Sequence, residues 1–344
     1  LFSGATIQMK LLPTRHEWIR LGLTLLVLGL IVIGSIVYMT RMPGRSYSSA
    51  LPPLSAEETQ ISSNLKQHVN YLAGTIGERN MIAYQPLLQA AQYIEDKFKA
   101  LGYEVKSQEY VVQMRKVRNL IVEIPGGARA NEIVVIGAHY DTVYDCPGAD
   151  DNTSGIAGLL ELARLLKNYH PSRTIRLVAF VNEEPPHFQT NEMGSLVYAK
   201  EAHRRKDNIV AAISLETIGM YSDVEGSQQY PEGFKSLYPS KGNFIGFVGD
   251  LSSHALVTQA VASFRSATQF PSEGSSAPGW IGGVGWSDHW SFWQEGYPAI
   301  MVTDTAPFRN HNYHEPSDKP ETLDYDHMAR VVHGLVRVVT DLGE

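Results

Sequence analysis

Acidic side chains and a histidine follow three short apolar segments in the middle of the chain. The first segment ends in His139, with Asp141 just beyond it, the second is followed by Glu183 and Glu184, and the third by Glu216. Each segment has the nearly continuous apolar character of a strand buried on both faces of a parallel sheet. The carboxyl ends of such strands lie at one edge, where open α/β folds place their ligands. We therefore expect these side chains to meet.

Two further segments are candidates for the same edge. Residues 147–155 contain Asp150 and Asp151 and lead into a helix, and residues 312–318 contain His314. Carboxylates gathered at one edge repel each other and are costly to bury unpaired, whereas a divalent cation removes both problems. Imidazole nitrogens and carboxylate oxygens suit zinc. The number of candidate ligands favours two ions that share one carboxylate.

Each of these motifs alone has an ordinary structural explanation. A His-x-Asp pair is commonly solvated in a loop, consecutive aspartates before a helix satisfy its free amide groups, and paired glutamates occur in exposed turns. Their joint placement at strand ends is what indicates a site. The sequence contains no Gly-x-Ser-x-Gly, His-Glu-x-x-His, Gly-x-x-x-x-Gly-Lys or Gly-x-Gly-x-x-Gly motif, so other common catalytic and nucleotide-binding sites are not indicated.

Alternating strands and helices must position these residues. The predicted strands cover residues 119–124, 132–139, 174–181, 209–215 and 299–303. The predicted helices cover residues 86–101, 154–166, 194–204, 252–264 and 325–342, and a capping box of Ser55 and Glu58 opens one more. This alternation predicts one α/β domain with a mixed, largely parallel central sheet flanked by helices.

Two segments have an open interpretation. Residues 221–243, with their Gly, Pro, Ser and Tyr, are predicted to form a loop insertion, which is either a functional lid or a plain excursion. A tryptophan cluster surrounds residues 287–289, and aromatic crowding of this kind is more often core than the wall of a site. Its members are Trp280, Trp286, Trp290 and Trp293.

An uncharged apolar run from Leu21 to Thr40 dominates the N-terminal part of the chain. A helix of about twenty residues reaches roughly 30 Å, the thickness of the hydrocarbon core of a bilayer. We predict a tail over residues 1–20, a single transmembrane helix over 21–40, a linker over 41–54 and a catalytic domain over 55–344. The alternatives are a buried core helix and a cleaved signal peptide.

The flanking basic residues give a small bias in orientation. Those before the run slightly outnumber those after it, which favours a cytoplasmic N-terminus and a catalytic domain outside the cytoplasm. The residues counted are Lys10, Arg15 and Arg20 on one side and Arg41 and Arg45 on the other.

Composition excludes several other classes of protein. The 344 residues are 43% hydrophobic, enough for a sizeable core, and the net charge of -7 disfavours nucleic acid as a partner. Cys146 is the single cysteine, which excludes an intramolecular disulfide, a cysteine-based zinc finger and a Cys-x-x-Cys redox site. Composition does not specify the oligomeric state.

Taken together, the motifs resemble those of the co-catalytic dizinc aminopeptidases of clan MH, which include secreted bacterial leucyl aminopeptidases, glutamate carboxypeptidase and glutaminyl cyclase. The resemblance runs from about Ser55 to the C-terminus and implies a zinc exopeptidase, phosphorylase/hydrolase-like fold. The motifs occur in the family's order. They are His139-Tyr-Asp141, Gly148-Ala-Asp-Asp151-Asn, Asn182-Glu-Glu184, Ser287-Asp-His289 and Tyr313-His314-Glu-Pro-Ser-Asp318.

The resemblance implies a ligand set for two Zn²⁺ ions. Asp151 bridges both ions, and Asp150 ranks second for that role. His139 and Glu216 complete one site. Glu184 and His314 complete the other. The position of Glu216 is often Asp in relatives, and the longer side chain changes the geometry of that site.

The resemblance also implies catalytic and supporting roles. Glu183 is the general base, Asp141 holds the ring of His139 as metal-bound imidazoles usually require, and Asp288 has a similar supporting role. The predicted protein is a membrane-anchored zinc exopeptidase that removes N-terminal residues from peptides. Its rivals are a glutaminyl cyclase-like acyltransferase with one zinc, a carboxypeptidase, which would need a basic pocket, and a metal-free receptor-like pseudoenzyme.

Overall fold

The computed structural model describes residues 14–344, which form two compact units that divide between Arg41 and Met42. The first unit contains helix α1, Arg15–Thr40, whose N-terminus is closed by a capping box between Thr14 and Glu17. None of its side chains is buried, and its most apolar window of 18 residues has a mean hydropathy of 2.5. The helix is long and apolar enough to cross a membrane, a test that a signal sequence also passes. Lys10 lies outside the described residues.

The second unit, Met42–Glu344, holds the predicted strands and helices, with further strands that the sequence pattern did not show. Its α-helices are α2 (Ala56–Val69), α3 (Tyr84–Ala100), α4 (Gly155–Leu166), α5 (Gly194–Arg205), α6 (His254–Ala267), α7 (His289–Gln294) and α8 (Tyr325–Gly343). Its strands are β1 (Lys106–Val112), β2 (Arg115–Ile124), β3 (Arg129–His139), β4 (Arg173–Phe180), β5 (Asn208–Glu216), β6 (Ile245–Gly249), β7 (Ser272–Ser276) and β8 (Ala299–Thr303). Short π-helical segments cover Asn70–Ile76 and Ala149–Ser154, and 3₁₀ turns cover Ala306–Phe308 and Pro320–Thr322.

The strands form one mixed sheet in the order β1-β2-β4-β3-β5-β8-β6-β7. The central strands β4, β3, β5 and β8 are parallel, β7 is parallel to β6, and the remaining pairs are antiparallel. The predicted fold class is therefore confirmed. Because β3, β4 and β5 are parallel neighbours, their carboxyl ends lie side by side at one edge of the sheet.

Helices cover both faces of this sheet, which explains why β3 is a continuous apolar run. Val134 and Ile136 point into the larger part of the core, formed with helices that include α2, α4, α6 and α8. Ile133 and Val135 point to the opposite face, where α5 and α7 pack. The predicted capping box is present, since the Ser55 side chain accepts the N–H of Glu58 and Glu58 accepts the N–H of Ser55.

Residues 42–54, predicted as a linker, have no regular secondary structure but pack on the second unit. Met42 and Leu51 contact the hydrophobic core. The Arg265 guanidinium donates a hydrogen bond to the carbonyl of Pro43 at 2.8 Å, and the N–H of Ser272 donates one to Ser46 Oγ at 3.0 Å. This segment therefore belongs physically to the compact unit.

Candidate metal centre

The carboxyl ends of three strands place the predicted residues close together. His139 is the last residue of β3, Glu216 is the last residue of β5, and Glu183 and Glu184 follow β4 after Phe180. The parallel pairing of β3 with both β4 and β5 makes these ends neighbours. The pairing of these strands therefore brings groups that are far apart in sequence to the same edge of the sheet.

The side chains form two groups that share one carboxylate. His139 Nε2 lies 3.3 Å from Asp151 Oδ1 and 3.3 Å from Glu216 Oε2. On the other side of Asp151, His314 Nε2 lies 3.0 Å from Oδ2 and 3.4 Å from Glu184 Oε2. Within each group of three, the potential ligand atoms lie within 4.8 Å of one another. Asp151 thus faces both groups, one with each oxygen.

The donor atoms of these groups are buried and lack partners of their own. Both ring nitrogens of His139, Asp151 Oδ1, Glu184 Oε1 and His314 Nε2 are buried without a hydrogen bond. Buried polar atoms are normally satisfied, and the exceptions require an explanation. Two groups, each with one imidazole and two carboxylates, match the three protein ligands that a catalytic zinc ion usually has. The residues therefore fit a pair of zinc ions.

The charged groups of this cluster shift one another's pKa values. Burial, reinforced by the Asp151 charge, raises the pKa of Glu184 to about 8. Burial alone would lower the pKa of His314, but its close contacts with the carboxylates of Asp151 and Glu184 raise it to about 10. The pKa of Asp151 is lowered, because its close contacts with the two histidines outweigh its burial. Because zinc binds the neutral imidazole, protons and zinc compete for these histidines.

Asp141 contacts the backbone of the glutamate turn. Its Oδ1 accepts the N–H of Glu183 and its Oδ2 accepts the N–H of Glu184, each at 3.1 Å. Its distance to His139 Nδ1 is 3.7 Å, which is longer than a hydrogen bond. The resemblance assigned Asp141 to the histidine ring, and the geometry adds a second task, which is to hold the turn that presents both glutamates.

The two neighbouring aspartates have different surroundings. Asp150 faces away from the cluster, since its Oδ1 accepts the N–H of Gly219 at 2.9 Å and its Oδ2 accepts the amide of Asn310 at 2.7 Å. The backbone N–H groups of Asp150 and Asp151 both donate to the carboxylate of Asp318, at 2.9 and 3.1 Å. Asp318 thereby positions the loop, and only Asp151 presents free oxygens to the histidines.

Arg79 forms hydrogen bonds with the loop that contains Asp150 and Asp151. No sequence motif indicated this residue. It is fully buried, and it donates hydrogen bonds to the carbonyls of Tyr140, Pro147 and Gly148 and to the hydroxyl of Thr153. Burial lowers its pKa to about 10, so it remains a cation near neutral pH. An isolated arginine in a helix-to-loop segment has no distinctive pattern, and only the fold shows what it binds.

Ser287 contacts Glu216, a predicted zinc ligand. It precedes Asp288, the residue to which the resemblance gave a supporting role. The Ser287 hydroxyl donates to Glu216 Oε2 at 2.6 Å and lies 2.8 Å from Ser214 Oγ. Asp288 is fully buried nearby, and its burial raises its pKa to about 7. The supporting residue that touches a candidate ligand is therefore the serine.

An aromatic cavity opens next to Glu216 and Tyr313. Tyr230, Phe234 and Tyr238 of the loop insertion form one wall, and Trp286 and Phe308 stack at 6.4 Å in another. The loop insertion therefore lines a cavity beside the metal cluster. The four tryptophans do not form one cluster in the core. Trp280 is 84% exposed and Trp286 is 48% exposed, whereas Trp293 packs against the hydrophobic core as the sequence favoured.

Comparisons with known proteins agree with this geometry. The family described as Peptidase family M28 matches residues 119–339. YfbL, an uncharacterised protein of Escherichia coli, is 39% identical over 300 residues, which are 85% of this chain and 91% of that protein. A probable aminopeptidase of Saccharomyces cerevisiae is 24% identical over 66% of this chain, and the match spans only 58% of the yeast protein.

Solved structures share the fold at low identity. The aminopeptidase LapA of Legionella pneumophila superposes with a TM-score of 0.65 at 19% identity, covering 86% of this chain and 77% of that one. A glutaminyl cyclase of Fimbriiglobus ruber has a TM-score of 0.60 at 19% identity, covering 86% and 97%. Both reactions therefore occur on this architecture, and the site residues must distinguish them.

Proposed function

This chain belongs to peptidase family M28, and from that premise we propose that it is an aminopeptidase with two zinc ions, held by His139, Asp151 and Glu216 in one site and by Asp151, Glu184 and His314 in the other. The observation that carries the proposal is the shared position of Asp151 between two groups of three ligands. When bound, the two ions supply Lewis acidity to the scissile carbonyl and lower the pKa of water.

Glu183 is the residue that moves the proton. Its Oε2 lies 3.8 Å from His139 Nε2, close to one proposed ligand of each site, and burial first, then neighbouring carboxylates, raise its pKa well above the usual range. A carboxylate with a raised pKa accepts a proton from the attacking water more readily at neutral pH. The same carboxyl group then donates the proton to the leaving amine.

The charges around the cavity favour a free N-terminus over a free C-terminus. Among residues 14–344, no lysine or arginine lines the aromatic cavity, so the lining offers no cation for an α-carboxylate. A carboxypeptidase needs a cation for the α-carboxylate of its substrate, and an aminopeptidase needs anions for the α-ammonium group. This distribution supports the aminopeptidase over the carboxypeptidase.

A panel of substrates tests the proposal on the full chain, purified in detergent and loaded with zinc. We expect free amino acids to be released from unblocked peptides, and no release after N-acetylation. Two bound zinc ions per chain are expected by elemental analysis. Release from the C-terminus, cyclisation of N-terminal glutamine with loss of ammonia, or a chain that binds no zinc would refute the proposal in favour of one of the three rivals.

We further propose that α1 anchors the protein as a single span, with the catalytic unit outside the cytoplasm. The length of the helix, its exposed apolar side chains and its hydropathy support this. A signal sequence would be removed on export, so mass spectrometry of the mature N-terminus distinguishes the two. Protease accessibility of the catalytic unit in intact cells tests the orientation.

A further inference from the structure

One row of side chains crosses four strands from the metal cluster to the edge of the sheet. Glu216 on β5 is paired with Thr303 on β8, Thr303 with Gly246 on β6, and Gly246 with Glu273 on β7. Paired residues on neighbouring strands project from the same face. With strands about 4.8 Å apart, the Cα atoms of Glu216 and Glu273 are roughly 14 Å apart. The two carboxylates therefore belong to one face and both line the aromatic cavity.

A glycine lies between these two carboxylates in the lining of the cavity. Gly246 has no side chain, and a Cβ built there would lie 3.2 Å from the carbonyl oxygen of Thr303. Tyr230 and Tyr238 stack at 5.8 Å in the wall that faces this floor. Aromatic rings attract ammonium and guanidinium groups through their quadrupole. The walls consequently suit a side chain that is apolar along its length and cationic at its end.

Glu273 has one long ion pair. Arg265 Nη2 lies 3.9 Å from Glu273 Oε2, and the same nitrogen donates a hydrogen bond to the carbonyl of Ser272. Burial raises the pKa of Glu273 by more than the hydrogen bond from Ser46 and the charge of Arg265 lower it. Glu273 also borders a second cavity, whose lining includes residues 46–51.

We propose that this cavity binds the side chain of an N-terminal lysine or arginine, and that Glu273 recognises its charge. This inference rests on the proposed aminopeptidase function. A lysine stem of four methylene groups reaches roughly 6 Å, which carries an ammonium group away from the metal cluster and towards Glu273. Glu273 is then a specificity-determining residue, because a half-buried carboxylate favours a cationic side chain over a neutral one of the same shape.

Matched pairs of substrates test the charge alone. Lysyl and norleucyl peptides differ chiefly in the ammonium group, as arginyl and citrullyl peptides differ in the guanidinium group. For the zinc-loaded full chain we expect kcat/KM to be at least about tenfold higher for each cationic member. In Glu273→Gln that ratio should fall towards one, and Glu273→Asp should retain part of the preference.

Arg265→Gln is the control for a purely structural ion pair. Our proposal expects the cationic preference to persist or increase in this variant, because the carboxylate loses a competing cation. Equal loss of preference in Arg265→Gln and Glu273→Gln would overturn it, as would a parent enzyme without preference. Melting temperatures of all variants exclude misfolding as the cause.

Failure of the proposed aminopeptidase function gives a different experimental result. If no unblocked peptide is hydrolysed, the aminopeptidase assignment fails, and calorimetric binding of L-lysinamide against L-norleucinamide still examines the cavity. Tighter binding of L-lysinamide that disappears in Glu273→Gln supports the recognition of charge by Glu273. Equal binding of the two amides, or binding of neither, overturns it.

Discussion

Glu183 and Glu184 are adjacent in the chain, yet the structure gives them different neighbours. Glu184 Oε2 lies 3.4 Å from His314 Nε2, inside one of the two ligand groups that share Asp151. Glu183 Oε2 lies 3.8 Å from His139 Nε2, next to the other ligand group. The two carboxylates approach each other beside His139, but only Glu184 also belongs to a group that contains Asp151. This difference suits them to separate tasks.

Substitution by glutamine should separate these tasks. Glu183→Gln keeps the size of the side chain but removes the base, so we expect unchanged zinc content and a turnover lower by roughly 10²–10⁴-fold. Glu184→Gln should lose zinc, because a neutral amide is a poor replacement for an anionic ligand. Zinc content and kcat are measured together, with exposed Glu109→Gln as the control. Near-parental activity in Glu183→Gln would eliminate the proposed mechanism.

The bridging role of Asp151 is testable against its neighbour. Asp151→Asn should reduce zinc at both sites, since each oxygen of Asp151 faces a different histidine. Asp150→Asn should retain close to the parental zinc content, because the oxygens of Asp150 are already bound by Gly219 and Asn310. Elemental analysis after dialysis provides the measurement, and a larger zinc loss in the Asp150 variant would reverse the assignment.

At the scale of the elements, helix α7 presents a buried histidine to the loop that borders the cavity. His289, its first residue, is fully buried, and its Nε2 lies 2.7 Å from the carbonyl oxygen of Val284. Its ring packs edge-on against Trp293 with the centroids 4.6 Å apart. Burial lowers the pKa of His289 to about 4 from its usual 6.5, so the folded protein holds this ring neutral.

That shift predicts a loss of stability in acid. Between pH 6.5 and pH 4 the unfolded chain binds a proton that the folded chain does not, so the free energy of unfolding falls as the pH drops through this window. The total loss is on the order of 2–3 kcal/mol. His289→Gln should remove this part of the pH dependence in metal-free protein, as followed by denaturant titration at several pH values. The exposed His203→Gln should keep the parental slope, and an equal slope in all three proteins would contradict the prediction.

At the scale of the whole molecule, the two compact units divide between Arg41 and Met42, whereas the proposed catalytic domain begins at Ser55. The difference is the segment 42–54, whose contacts with the core and with Arg265 make it part of the second unit. The carbonyl of Pro52 also accepts a hydrogen bond from Arg330. Removal of this segment therefore exposes apolar surface that removal of the helix alone does not.

Two truncations should consequently differ in stability. Deletion of residues 1–41 should give a soluble, active enzyme with the melting temperature of the full chain. Deletion of residues 1–54 should also be soluble and active, but it should melt a few degrees lower, because Met42 and Leu51 no longer cover the core. Fractionation and thermal melts provide the readouts. If either truncated protein stays in the membrane fraction, α1 is not the membrane anchor.

Much of the centre could be predicted from the sequence, because it consists of short motifs at strand ends. Apolar runs such as Ile133–Ile136 mark doubly buried strands, and the parallel order of those strands is enough to bring His139, Glu183 and Glu216 to one edge. The choice of Asp151 over Asp150 came from the resemblance. The geometry agrees with that choice through the free oxygens of Asp151.

The tertiary structure alone decided the surroundings of that centre. Strand β7 has the sequence Ser-Glu-Gly-Ser-Ser, which lacks a hydrophobic pattern, and it exists because β6 supplies its hydrogen bonds. Arg79, Ser287 and Glu273 carry no motif either, since their roles depend on contacts with residues far away in the chain. Local patterns report which side chains a strand or helix buries. Which distant groups then meet, and hence how the loop is held and what the cavity contains, depends on packing between elements.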